Sequence, residues 1–557
     1  MKIKTISDQL SVSEQILPAQ IAEIAAAGFK SIICNRPDGE GADQPGFAEI
    51  EAQAKSAGLT AVYQPIISGK VGDQDASSFA KLIDALPKPT LAYCRTGTRS
   101  TTLWSLAEGA RGRPLPDILS AAKVAGFDMN GVARRIASKG LVGTETVEAH
   151  AEVVIIGGGA AGIALAASLK ARRPELDIAI IEPADVHYYQ PGWTMVGGGI
   201  FDPATTAKTM ASLIPAGVRW IKAAVAAFEP QKNAVILEGC RLVTYRALVV
   251  AAGLKLNWAG IEGLSETLGR NGVTSNYRYD LAPYTWELVQ SLKRGRAVFT
   301  QPPMPIKCAG APQKALYLSA DHWYRQGLLK DIDIDFFNAG AVLFGVKEYV
   351  PALMAYIERY QAQLHFQHTL TRIDGEKKRA WFWKADADGT KSVIETDFDI
   401  IHVVPPQVAP DFVRVSPLAD AAGWVDVDQS TLRHKTFGGV FALGDVANTP
   451  NAKTAAAARK QAPIVAHNLL RDLGYGGDRD AIYDGYGSCP LTVERGKIVL
   501  AEFGYGGKLL PSFPGWLLDG TKPSHLAWLL KERALPPIYW QAMLRGREWM
   551  AKPELVA

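Results

Sequence analysis

Short apolar-rich runs alternate with stretches of helical period along the first hundred residues. Residues 31–34, 60–66 and 90–94 read as buried strands, with helices over 19–27 and 47–57 between them and another at 100–108. Strand, helix and strand at this spacing predict a small parallel α/β unit over 1–110. The string Arg111-Gly112-Arg113-Pro114-Leu115-Pro116 then breaks the chain, and helical stretches at 117–125 and 132–139 make 111–149 a helical connector. From 150 the pattern enlarges. A buried strand, 152–156, runs into Gly157-Gly158-Gly159-Ala160-Ala161-Gly162; a helix follows, and a second strand, 178–181, ends at Glu182. Gly157, Gly159 and Gly162 supply the tight turn, the pyrophosphate approach and the helix–strand contact of a dinucleotide site, and Glu182 takes the ribose hydroxyls.

Composition excludes more than it identifies. The chain has 557 residues, 48% apolar and 21% charged, with a net charge of +4. That describes several globular domains, not a disordered or fibrous chain, and no nucleic-acid partner is expected. The five cysteines, Cys34, Cys94, Cys240, Cys308 and Cys489, have no metal-ligand spacing, so no metal site is expected. Cys34, in mid-strand, reads as core, and Cys240 receives no role. The N-terminus lacks a signal-peptide core and no apolar stretch is long enough to span a bilayer, so the expected location is cytoplasmic.

Cys94 ends the third strand and leads through Arg95-Thr96-Gly97-Thr98-Arg99 into a helix. Loop amides and a helix N-terminus converging there would favour a thiolate or an anion held on it, with Arg99 as a fixed positive fork. The loop resembles the rhodanese and cysteine-phosphatase group. Phosphatases use Cys-x5-Arg, whereas Cys94-x4-Arg99 is one residue shorter, as in rhodaneses. The segment, including Asn35-Arg36-Pro37-Asp38-Gly39-Glu40, is similar to a bacterial phosphatase-like domain associated with sulfide metabolism.

Two later strand ends, 247–253 (ALVVAAG) and 439–445 (GVFALGD), resemble flavoproteins of the disulfide-reductase type. That resemblance implies FAD, held also by Ala161, Gly253, Gly444, Asp445, Lys453 and Thr454. Lys453 would sit ahead of a helix aimed at the flavin and stabilise its reduced, anionic form. A second glycine motif, for a nicotinamide cofactor, is missing: the strand at 297–300 is followed by Gln301-Pro302-Pro303-Met304-Pro305.

The strings at 305–314 (PIKCAGAPQK), 187–198 (HYYQPGWTMVGG), 417–427 (PLADAAGWVDV), 449–455 (TPNAKTA) and 489–491 (CPL) resemble sulfide:quinone oxidoreductase of the mitochondrial-like subgroup over about 150–550. The resemblance implies a redox cysteine at the flavin, Cys308. Lys307 beside it and the loop amides would lower its pKa, and His187 reads equally as a proton carrier near the flavin or quinone and as a hydrogen-bonded structural histidine. It also implies a second cysteine directly after the late Gly-Asp, where this chain has Val446. Three readings follow: Cys308 acts alone, placed first; it pairs with another thiol, for which Cys489 is the candidate; or sulfide chemistry has been replaced.

Residues 515–550 carry Trp516, Trp528, Trp540 and Trp549, and 521–557 hold six basic and three acidic residues. Such a tail fits a membrane interface and, by the resemblance, quinone entry; packing on its own domain or a second subunit is the alternative. The expected architecture is α/β: a phosphatase-like or rhodanese-like domain (1–110), the connector (111–149), an FAD domain in two parts (150–258 and 409–485), a second Rossmann-like domain carrying the redox cysteine (259–408) and a membrane and quinone segment (486–557). The expected function is oxidation of sulfide by FAD with electrons passed to membrane quinone, on the inner face of the cell membrane. Sulfur would move through Cys94 to a small thiol or sulfite, in a possible homo-oligomer. The rivals are another thiol donor, a phosphatase joined to a redox-sensing flavoprotein, and a docking module built on Cys94.

Overall fold

The structure is a computed structural model that describes residues 2–556 except 42–43, 142–146, 239–240 and 386–389; Cys240 lies outside the described residues. The chain forms two compact units, one of 1–150 with 223–244 and 411–419, the other of 151–222, 245–410 and 420–557.

The first unit holds β1 (Ile3–Ser7), β2 (Leu10–Ser13), α1 (Ile21–Ala26), β3 (Ser31–Cys34), α2 (Phe47–Ser56), β4 (Thr60–Tyr63), α3 (Asp73–Ala85), β5 (Thr90–Tyr93) and α4 (Thr98–Ala110). The sheet order is β1-β2-β5-β3-β4, and the three strands read from the sequence lie together as its parallel side. Cys34 is in register with Tyr93, so the two side chains share a face and pack in one cluster. Cys94, the next residue, lies just past the strand's end, in the loop that opens α4.

The connector is less separate than its Pro/Gly break implies. Pro114 and Pro116 open a helix rather than end one, α5 (Leu115–Val124). Its apolar face, Leu115, Ile118, Leu119 and Ala122, joins Leu103 and Leu106 of α4 in one core. The same core takes Ala226, Ala227, Ile236, Leu242 and Val415, residues whose sequence position put them in the FAD domain. A ten-residue amphipathic helix cannot stay apolar in water, and these segments are what covers it.

The second unit contains two sheets, each built around parallel strands. In the first, β6 (Val147–Ile156) and β7 (Ile178–Ile181) flank the glycine turn into α6 (Ala160–Arg172), and the late strand Val440–Ala442 pairs with Arg241–Val250. In the second, β8 (Gly295–Gln301) and β9 (Ile332–Asn338) are central, and α7 (Ala311–Arg325) begins just after the Cys308 loop. Then come α8 (Ala455–Asp472) and a hairpin of β10 (Gly487–Glu494) and β11 (Lys497–Phe503). Along β10 the period of two buries Cys489, Leu491 and Val493 against Ala315 and Leu316 of α7. No described helix is long and apolar enough to cross a membrane.

Candidate functional site

A cavity of about 490 Å³ lies in the second unit. Its wall includes residues 157–161, Glu182, Gly253, Cys308, Lys314, Gly444, Asp445, Lys453 and Thr454. The elements suit a dinucleotide. Gly159 has open space where a Cβ would stand, so backbone faces the cavity there, whereas a Cβ on Gly162 would come within 1.9 Å of the Gly157 carbonyl. Gly162 is therefore the residue that lets α6 close on β6, beneath the cavity rather than in its wall. The Glu182 carboxylate accepts the amides of Gly158 (2.8 Å) and Ala184 (2.8 Å), which fixes it at the rim.

The Cys308 loop is pinned to this wall. Its amide donates to the Lys453 carbonyl at 2.8 Å, and the Tyr277 hydroxyl donates to the Lys307 carbonyl at 2.9 Å. Cys308 has φ +49°, a left-handed conformation rare for a residue with a Cβ. The turn sets its sulfur 3.7 Å from that of Cys489. A Cβ on Gly310 would stand 2.6 Å from the Cys489 sulfur, so only glycine admits the hairpin this closely. The position after Gly444-Asp445 is not where the second thiol lies: Val446 is buried core, and β10 delivers Cys489 instead. The structure thus brings Cys489, the candidate partner of the reading placed second, within reach of Cys308.

The ammonium that touches Cys308 is Lys314, whose Nζ donates to the sulfur at 3.0 Å. Lys314 lies in the first turn of α7, and helical side chains lean toward the N-terminus, here toward the Cys308 loop. Lys307, expected in that role, turns away to donate to Gln190 at 2.6 Å. Cys308 is pushed well below the ordinary thiol range, first by the hydrogen bond from Cys489; burial opposes this, and Lys314 and Lys531 reinforce it. Cys489 moves up because it keeps the shared proton and is buried. Lys531 is pushed down to about 7, by burial first and then by the charge of Lys314. The result is an asymmetric pair, with a thiolate at Cys308 and a thiol at Cys489.

Two other expected residues hold structural bonds. The Lys453 ammonium donates to the carbonyls of Asp445 (2.8 Å) and Ala447 (2.7 Å), and burial lowers its pKa to about 8. His187 donates through Nδ1 to the Gly158 carbonyl at 3.0 Å and accepts the Tyr539 hydroxyl at Nε2, 2.6 Å away. Burial lowers its pKa and keeps it neutral, so the geometry matches a tie rather than a proton carrier.

In the first unit, the Gly97 amide donates to the Cys94 sulfur at 3.2 Å, and Cys94 is buried. The Arg99 fork is already engaged: it donates to Glu40 (2.8 Å) and to the carbonyls of Ile66 and Asn35. Arg36 also donates to Glu40 at 2.8 Å, and Arg99 first, then Arg36, lowers the Glu40 pKa, which keeps the carboxylate ionised.

Residues 2–111 match the family described as beta-lactamase hydrolase-like protein, phosphatase-like domain, and residues 151–285 match pyridine nucleotide-disulphide oxidoreductase. A beta-lactamase hydrolase-like protein of Agrobacterium fabrum is 34% identical over 135 residues, 24% of this chain and 31% of its own length. The sulfide:quinone oxidoreductase of Dictyostelium discoideum mitochondria is 43% identical over 407 residues, 72% of this chain and 88% of its own. The chain belongs to the sulfide:quinone oxidoreductase family. The crystal structure of the Aquifex aeolicus sulfide:quinone oxidoreductase shares the fold with a TM-score of 0.59, at 20% identity over 72% of this chain and 92% of that one. Membership in the sulfide:quinone oxidoreductase family makes the chain a flavoenzyme with FAD as cofactor, and the open Gly159 backbone and the Glu182 rim fit that group.

The tail divides. Trp528, Tyr539, Trp540 and Leu544 are buried within the second unit, while Trp516 is 85% exposed and its neighbour Leu517 is exposed as well. Only part of the aromatic content read as a membrane face is free for one.

Proposed function

We propose that the chain oxidises sulfide at the Cys308–Cys489 pair and passes two electrons to a quinone. The observation that carries this reading is the pair itself: two thiols 3.7 Å apart at the wall of the FAD cavity, one of them favoured as a thiolate by the other's hydrogen bond and then by Lys314. The pair cycles between dithiol and disulfide. Hydrosulfide attacks the Cys489 sulfur of the disulfide; the bond to Cys308 breaks and a new sulfur–sulfur bond forms. A persulfide is left on Cys489 and a thiolate on Cys308. The direction follows from the asymmetry, since the thiol of lower pKa leaves faster. A small thiol or sulfite takes the outer sulfur, and closing the pair again releases two electrons and two protons. FAD, when bound, accepts the electron pair and delivers it to quinone. Lys531, titrating near neutrality, holds and releases a proton beside the sulfurs. In an anaerobic titration, sulfide bleaches the flavin and a soluble quinone restores it; a flavin that stays oxidised under excess sulfide overturns the proposal.

Cys94 then takes the sulfane sulfur from the small-molecule persulfide or thiosulfate so formed: a new sulfur–sulfur bond forms at Cys94, the donor's breaks, and the thiol or sulfite leaves. Phosphate-ester hydrolysis needs a proton for its leaving group, and the carboxylate nearest Arg99 is ionised and doubly paired. Cys94→Ser is expected to lose sulfur transfer from thiosulfate to cyanide while sulfide still bleaches the flavin. Phosphatase turnover by the unaltered protein would sink this assignment.

The exposed Trp516 and Leu517 dock the enzyme on a membrane surface, with quinone entering from the lipid. The double change Trp516→Ser, Leu517→Ser is expected to lower the partition coefficient onto anionic lipid vesicles, read by co-sedimentation, by about a hundredfold or more, roughly what losing two buried apolar side chains implies; unchanged binding would reassign the patch.

A further inference from the structure

The outer wall of the cavity comes from the last part of the chain. Tyr539, Met543, Trp549 and Met550 line the same cavity as the glycine loop and Glu182. We propose that residues 535–550 are a strap that closes over the dinucleotide and retains FAD, so that the cofactor enters before the strap docks.

The fastenings run to the dinucleotide motif. Tyr539 donates to His187, which donates to the carbonyl of Gly158 in the glycine loop. Glu548 accepts from Ser168 (2.7 Å) and Arg172 (2.9 Å) of α6, the helix which that loop opens. Arg545 donates to the Ser212 carbonyl at 3.1 Å, and Arg459 of α8 donates to the Trp549 carbonyl. Gly546 rests on α6 at φ +70°, where a Cβ would come within 2.5 Å of the Ala167 carbonyl. A tail that served only a membrane face would need none of these bonds. Together they place a polar latch at each end of a stretch whose middle, Met543 and Leu544, is buried.

The test reads flavin release, so it stands apart from whether sulfide is the substrate. Full-length protein loaded with FAD is diluted, and the rise in flavin fluorescence on release is followed. Glu548→Ala is expected to release FAD about tenfold faster or more, because a hydrogen bond to a charged group contributes at least a tenfold factor to an equilibrium. Tyr539→Phe removes one neutral bond and speeds release by a smaller, severalfold factor of about three to ten. Arg379→Ala, which breaks an exposed pair with Glu395, serves as the control and keeps the unaltered rate. If Glu548→Ala is isolated without flavin, recovery of the visible spectrum in excess FAD counts for the strap. If it does not recover, Tyr539→Phe alone decides. Release within about twofold of the unaltered protein in the deciding variant overturns the proposal, since that is below the effect of one hydrogen bond.

Discussion

Replacing Cys489 with alanine is expected to abolish bleaching of the flavin by sulfide, a fall on the order of a thousandfold or more, the scale on which loss of a reacting nucleophile acts. Two effects add. No disulfide can form for hydrosulfide to attack, and Cys308 loses the hydrogen bond that does most to hold it as a thiolate. The same substitution separates the two readings of Cys308. A cysteine acting alone would keep most of its rate without Cys489, so bleaching within about tenfold of the unaltered enzyme would restore the solitary mechanism. Cys308→Ser should be as severe under either reading and serves as the reference.

Lys314→Met moves the pH dependence rather than removing the reaction. The Cys308 thiolate exists above its lowered pKa, so the rate falls as pH drops through that value. Without the ammonium at 3.0 Å the thiol titrates higher, and the loss sets in at higher pH. At neutral pH the rate is expected to fall about tenfold or more and to recover as the solution is made alkaline, because an adjacent charge in a buried site shifts a pKa by one unit or more. Bleaching rates across pH for both proteins check this. A uniform loss with the same profile would make Lys314 a packing residue.

The dinucleotide site was legible because its chemistry sits in one short string. Gly157 to Glu182 is a rigid spacing that few other structures need. The Cys94 loop was legible for the same reason, but the state of Arg99 was not, because Glu40 and the Ile66 carbonyl arrive from other loops. Cys489 could be named only as a candidate, since 181 residues separate it from Cys308 and no local period brings them together. Lys314 was missed although a signal existed: it is a charge in the first turn of a helix whose neighbours Ala315, Leu316 and Tyr317 are all buried. Proximity in sequence favoured Lys307, whose side chain the turn at Cys308 leaves facing Gln190. The membrane reading of the tail erred in extent, because aromatic content does not reveal which face of a short helix is already covered.

The core of the first unit has a consequence for synthesis. Ala226, Ala227, Ile236, Leu242 and Val415 belong to it, yet the ribosome makes them long after α5. While the nascent chain lengthens from 150 to 419, the apolar face of α5 waits without its final cover. The Cys94 region is therefore first to emerge but not first to finish. During that interval its uncovered apolar face is open to association with other chains, and a gene cut at residue 111 would leave the helix that belongs to it behind.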